Sequence, residues 1–467
     1  MLFNSLPFLI FLPTVVLLYY LLPHRTRWIL LLAASYIFYG YWKVEYLSLI
    51  LASTTVDYFV ARYIHATPSR LHKRMGLAVS LITNLGLLAF FKYSGWFIED
   101  VLDPVVGLTD GQLDSFRKAW DFLLPVGISF YTFQTLGYTI DVYFGKAVPE
   151  KNPLKFALFV SYFPQLVAGP IERFSHLHQQ LFQRVSFEYA NLQQGGRLIL
   201  YGLFIKMCVA DNVSPIVDQI FGHSAEADGI QLAAGMLLFG LQIYSDFHGY
   251  SLIAIGTAKL LGVNLMDNFN APYTSLSIRE FWGRWHISLS TWFRDYLFIP
   301  LGGSKAGMTK LAINILIVFL VSGLWHGANW TFVVWGAMHG LAYLAERWLF
   351  PMRTKSRVGS ALKWIWTMVI VFFAWIFFRS ESVAHGTDYI MQMLQNTGDG
   401  LTIEWDPFLA SIVGIFILSD LLFRNRSIHV WLESTSTLIR WSVYALLLFF
   451  ITGFAGTVQH PFIYFQF

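Results

Sequence analysis

The sequence predicts an all-α, polytopic integral membrane protein, and three observations carry that prediction. Of 467 residues, 56% are hydrophobic and only 13% are charged. A soluble domain carries about 25% charge, so this chain has about half the charged side chains that would cover a water-facing surface. The mean hydropathy is +0.53. Apolar stretches approaching the roughly 20 residues needed to cross the hydrocarbon core recur along the chain. This composition excludes an ordinary cytosolic enzyme, a disordered protein and a disulfide scaffold. The net charge of +4 is small, and no Lys/Arg run or zinc-ligand spacing points to nucleic acid as a partner. A single cysteine, Cys208, can form neither an internal disulfide nor a Cys-cluster metal site. Its apolar neighbours, 204–209, make it a buried packing residue.

Taken in order, the apolar stretch 5–22 lacks a basic leader and a small-x-small cleavage site, so it is expected to be retained. Further spans are expected near 28–42, 44–61, 76–96, 119–143, 156–170, 198–218, 229–245, 250–263, 310–324, 328–349, 361–378, 407–423 and 438–456. Several are short or interrupted by Gly and Pro, which predicts roughly ten to twelve crossings plus re-entrant pieces. No internal repeat or long hydrophilic linker is visible, so residues 1–467 read as a single transmembrane domain. Basic loops at 24–27, 62–74, 146–155, 353–363 and 424–426 alternate with acidic loops at 99–114, 226–228 and 381–404. The positive-inside rule places the basic set in the cytoplasm and both termini outside.

The middle of the chain is unusually polar for membrane depth. Residues 172–197 suggest an amphipathic helix on the cytoplasmic face. The stretch Tyr244-Ser245-Asp246-Phe247-His248-Gly249-Tyr250-Ser251 is polar and Gly-interrupted within an apolar context. Asp246 and His248 stand two apart, off a common helical face, so no metal pair is expected there. Ionisable groups at this depth are costly by a few kcal/mol and are kept where they line a cavity, pair or do chemistry. His326 is the clearest case. It sits between apolar segments, with Gly323 and Gly327 allowing a helix break or a close approach. Composition alone leaves it as a hydrogen-bonded buried histidine or a catalytic one. His339, on the next segment, reads as a bonded helix histidine. His286 lies in a Trp/Arg-rich stretch that is either an interfacial belt or a cationic mouth for a phosphate-bearing donor. Without a Gly-x-Ser-x-Gly elbow or a phosphate loop, covalent acyl-enzyme chemistry and ATP hydrolysis are disfavoured. A neutral histidine suits general-base activation of a hydroxyl.

Longer motifs then bring in a resemblance. Residues 268–273 (Asn-Phe-Asn-Ala-Pro-Tyr), 281–297 (from Phe281-Trp282-Gly283-Arg284-Trp285-His286 to Arg294-Asp295-Tyr296-Leu297) and 322–331 (Ser-Gly-Leu-Trp-His-Gly-Ala-Asn-Trp-Thr) are similar to the membrane-bound O-acyltransferase family. The likeness is to its bacterial branch of alginate O-acetylation membrane proteins. Residues 124–133 and the ending 461–467 agree as well, so the resemblance runs almost end to end. It implies a ring of transmembrane helices with re-entrant and interfacial helices around a central funnel. It also implies that His326 is the essential catalytic histidine and His286 the second functional one. One departure stands out: the family reads Asp-Phe-Ser-Gly-Tyr-Ser-Asp where this chain has His248 and Leu252.

The resemblance further implies a multi-pass protein of the bacterial inner membrane, among membrane lipids and without a permanently bound cofactor. Its acetyl donor would be acetyl-CoA, and its partners an extracytoplasmic polysaccharide or a periplasmic acetyltransferase of the SGNH type. On this reading Arg279, Arg284 and Arg294 meet the donor's phosphates, while Trp285, Trp325 and Trp330 wall a tunnel to His326. That imidazole would have to be reachable from both aqueous compartments. Two rivals are D-alanyl transfer to teichoic acid from a carrier protein, and a transporter or flippase using broken helices.

Overall fold

The computed structural model describes residues 1–107, 125–167, 169–305, 307–348, 356–396, 398–403, 406–424, 427–454 and 462–465. Parts of the expected span 119–143, of the loops at 353–363 and 424–426, and of the ending 461–467 lie outside these residues. Every regular element described is helical. Among the described residues seven helices are long and apolar enough to cross a membrane: Val44–Ala66, Arg70–Val106, Tyr189–Gly222, Gly229–Leu260, Met308–His326, Arg357–Arg379 and Thr437–Phe454. Leu6–Leu21 and Pro407–Leu422 are shorter apolar helices.

At two places the expected spans take a different form among the described residues. The expected pair 229–245 and 250–263 is one continuous helix, Gly229–Leu260. Gly249 does not interrupt it. A Cβ there would lie 2.8 Å from the carbonyl oxygen of Gly202 and 3.0 Å from the amide of Lys206, so the glycine serves a close approach by another helix. The expected span 156–170 instead splits into Pro153–Ser161 and Phe163–Leu166. The break falls at Tyr162, just ahead of Phe163-Pro164, where the proline sits in the first turn of the second helix, the position it disrupts least.

The chain divides into two compact units, one of residues 1–193 with 257–266, the other of 194–256 with 267–467. In the first unit Ile128–Tyr143 is buried almost all round, as a helix at the centre of a bundle must be. Leu47–Ala66, Arg70–Trp96 and this helix share a polar centre at Asp57, which is fully buried. Its Oδ1 accepts hydrogen bonds from the hydroxyls of Ser80 and Thr139, and its Oδ2 accepts one from Asn84 Nδ2 at 2.7 Å. The polar stretch after residue 172 forms two helices, Phe174–Phe182 and Tyr189–Leu203. The first buries Phe174, Leu177 and Leu181, an amphipathic spacing.

The second unit contains the hairpin of Met308–His326 and Trp330–Trp348. Gly323 makes that hairpin tight, because a Cβ there would stand 2.2 Å from the carbonyl oxygen of Phe332. The first helix ends on His326, and Gly327 leaves the helical region with φ −163°. The turn is tied by Asn329, whose Nδ2 donates to the Glu381 carbonyl at 2.7 Å and whose Oδ1 accepts from Thr331 N at 3.0 Å.

Candidate active site

His326 therefore stands at a helix terminus, at the head of a hairpin whose glycine permits contact. Its ring is 3% exposed. Trp325 lies 4.9 Å away between ring centroids, Trp335 5.0 Å, Phe378 5.2 Å and Tyr464 5.6 Å. These come from both helices of the hairpin, from Arg357–Arg379 and from the C-terminal segment. Among the described residues these four rings pack around the imidazole and leave it almost wholly covered.

His286 is brought to the same place by a strained turn. It joins two short helices, Ile278–Arg284 and Ile287–Phe293, and adopts φ 42°, ψ 55°. A non-glycine residue in the left-handed region costs on the order of 1–3 kcal/mol and persists only where its surroundings enforce it. Here the Asn268–Tyr273 motif enforces it. The Asn268 carbonyl accepts from Ile287 N at 2.9 Å, and Asn270 N donates to the Arg284 carbonyl at 3.0 Å. The Asn268 side chain accepts from Ser288 Oγ at 2.6 Å and donates to Ser251 Oγ at 2.9 Å. The asparagines thus hold the backbone on both sides of the histidine. Burial lowers the His286 pKa, which keeps its ring neutral near pH 7.

The two histidines share two neighbours. Trp325 and Tyr464 lie 5.9 and 6.3 Å from His286, and both also border His326. Two buried donors complete the wall: the Tyr464 hydroxyl and Trp335 Nε1 have no hydrogen-bond partner among the described residues. A buried donor left unmade costs about 1–3 kcal/mol, and both of these rings lie beside His326.

Sequence reasoning missed what holds Tyr464 there. Asp246 Oδ2 accepts the backbone N–H of Ile463 at 2.7 Å. The same carboxylate lies 2.8 Å from Lys206 Nζ, which also lies 2.7 Å from Asp211. Phe462 is buried against Phe247 and Tyr250. A lysine within the apolar run 204–209 was the available signal, since an ammonium at that depth calls for a partner. His248 points elsewhere, stacking on Tyr244 at 5.3 Å, so it and Asp246 do not converge. His339 is buried and accepts from Trp282 Nε1 at 3.4 Å, as a bonded helix histidine should.

The expected donor-binding residues separate. Arg279 and Arg294 are exposed, and Arg294 pairs with its neighbour Asp295 at 2.8 Å. Arg284 commits Nε to Glu280 at 2.9 Å and Nη1 to the Asn270 carbonyl at 3.0 Å, so it also supports the His286 turn. Trp285 is fully buried against Phe281 and Trp375. Trp325 touches both histidines, whereas Trp330 is exposed.

The chain belongs to the membrane-bound O-acyltransferase family, which its residues 146–384 match. It is 40% identical to a probable alginate O-acetylase, AlgI, of Azotobacter vinelandii, over 82% of this chain and 76% of that protein. A peptidoglycan O-acetyltransferase of Helicobacter pylori is 32% identical, over all of this chain and 98% of its own length. A teichoic acid D-alanyltransferase of Streptococcus thermophilus is 30% identical, over 56% of this chain and 66% of its own. The protein is thus a multi-pass membrane O-acyltransferase related to polysaccharide and cell-wall O-acetyltransferases.

Proposed function

We propose that this protein moves acetyl groups from cytoplasmic acetyl-CoA to a hydroxyl of an extracytoplasmic polysaccharide or cell-wall glycan, or of a periplasmic SGNH-type acetyltransferase that passes them on. The observation that carries this reading is the convergence of His326 and His286 on Trp325 and Tyr464. His326 takes the proton of the acceptor hydroxyl, and the oxygen attacks the thioester carbonyl. The Tyr464 hydroxyl and Trp335 Nε1 donate to the oxygen that gains charge in the tetrahedral intermediate. Collapse expels the thiolate of coenzyme A, which takes the proton back from the imidazolium. His286, neutral, orients the reacting groups. Arg279, Arg284 and Arg294 receive the donor's phosphates, and the aromatic wall excludes water that would hydrolyse the thioester.

His326→Ala tests the role. Acetyl transfer from labelled acetyl-CoA in membranes, measured per folded molecule, falls by about 10²–10⁴-fold, while the protein still accumulates folded in the membrane. Wild-type transfer in that variant removes His326 from the chemistry. Transfer that requires an aminoacylated carrier protein and ignores acetyl-CoA would instead establish the D-alanyl reaction.

A further inference from the structure

We propose that a cavity in the first unit binds the phosphodiester headgroup of an anionic phospholipid. The cavity encloses about 230 Å³ and is lined by His24, Arg25, Arg27 and Lys155, with no carboxylate among its lining residues. The ions are arranged rather than scattered. Arg27 gives Nε to the Leu22 carbonyl at 3.0 Å and Nη1 to the Val185 carbonyl at 2.6 Å, which fixes its guanidinium without neutralising it. Lys155 lies over the Phe182 ring at 4.7 Å, a contact that leaves its charge in place.

The backbone adds to the same field. The cavity lies at the first turns of two helices, His24–Gly40 and Pro153–Ser161, and neither first turn carries an acidic residue. Helix N-termini are positive and favour anions; cations there are unfavourable. Arg25 and Arg27 in one first turn and Lys155 in the other are therefore better accommodated with an anion between them. The described residues that line the cavity include no carboxylate, which leaves it suited to an anion from outside the chain.

Size and surroundings select its class. At about 230 Å³ the space is below the range of roughly 300–1,000 Å³ typical of drug-sized ligands. A single phosphate headgroup suits it better than a complete nucleotide. Trp28 and Phe182 line it too; aromatic rings beside Lys and Arg mark the headgroup level of a membrane, where basic pockets between helices collect anionic lipids. The basic loop at 24–27, left unused by the acyl-transfer reading, thereby acquires a role independent of that reading.

The test uses the full-length protein in detergent, with thermal unfolding followed as phosphatidylglycerol, phosphatidylcholine, inorganic phosphate or coenzyme A is added. Phosphatidylglycerol raises the midpoint and phosphatidylcholine does not. In Arg25→Gln/Lys155→Gln the apparent affinity for phosphatidylglycerol falls about tenfold or more, as expected when two cations facing the headgroup are removed. Arg70→Gln/Lys73→Gln, a change of equal charge outside the cavity, leaves it unchanged, and matching unliganded midpoints show that both variants fold. Equal weakening in both double variants, or equal stabilisation by phosphatidylcholine, overturns the site. Stabilisation by coenzyme A or inorganic phosphate without any by phosphatidylglycerol overturns the lipid assignment.

Discussion

Two buried aspartates in this protein show how differently the same side chain is used. Asp57, in the first unit, is answered by neutral donors from two other helices, Ser80 and Asn84 on one and Thr139 on the other. Asp246, in the second, is answered by an ammonium and by one backbone amide of a segment more than 200 residues away. The first arrangement closes on itself and fastens a bundle. The second commits one carboxylate oxygen to Lys206 and offers the other to Ile463, so that Tyr464 reaches the two histidines. A polar group satisfied within its own helices serves stability, whereas one left with a lone pair for a distant segment builds a site.

The largest effect expected from this contrast follows loss of His326, which removes turnover and leaves the fold. Asp246→Ala comes next. It takes one of the two carboxylates paired with Lys206 away and frees the Ile463 amide. Breaking a buried pair by deleting one partner costs about 3–5 kcal/mol. Unfolding should shift accordingly, and the folded fraction should also lose acetyl transfer because Tyr464 is no longer held. A folded fraction with full specific activity would mean that the C-terminal segment is not part of the site.

Asp57→Ala should act on stability alone. The three donors it strands are neutral, so a loss of about 1–3 kcal/mol for each buried donor left unmade bounds the effect. Acetyl transfer per folded molecule should equal that of wild type. A specific loss of turnover would erase the distinction drawn between the two aspartates.

The smallest effect lies at the surface of the first unit, where His176 Nδ1 meets the buried Glu172 carboxylate at 2.5 Å. Glu172, chiefly by that hydrogen bond, raises the His176 pKa. The sign follows from linkage: a raised folded pKa gives stability that is complete below the unfolded value of about 6.5 and is lost as pH rises through the folded value. The difference in unfolding temperature between wild type and His176→Gln should therefore be larger at pH 6 than at pH 8.5. A difference independent of pH would show that the charged pair contributes nothing.

Much of the fold was legible in the linear chain. Low charge and repeated apolar stretches announced a helical membrane protein, because a backbone in lipid must satisfy its own hydrogen bonds. Gly323 and Gly327 announced the helix end at His326. One expected break was absent: a glycine in Tyr244–Ser251 suggested an interruption where the helix continues, since Gly249 serves packing that only a neighbouring helix defines. The charge of Arg284 was visible in the sequence, whereas its partners, Glu280 and the Asn270 carbonyl, were not.

The sequence by itself determined that this protein lives in a membrane and that its elements are helices, while the roles expected of His326 and His286 came from the family resemblance. The first two follow from side-chain chemistry and local spacing, which the chain carries residue by residue. Only the tertiary structure decided that the histidines share Trp325 and Tyr464, that Asn268 and Asn270 hold His286 in a left-handed turn, and that Lys206 and Asp246 fasten the C-terminal segment. Each of these joins residues far apart in the chain, and periodicity says nothing about such meetings. They are fixed when distant helices pack and each buried charge or amide must find whichever partner the fold has brought within reach.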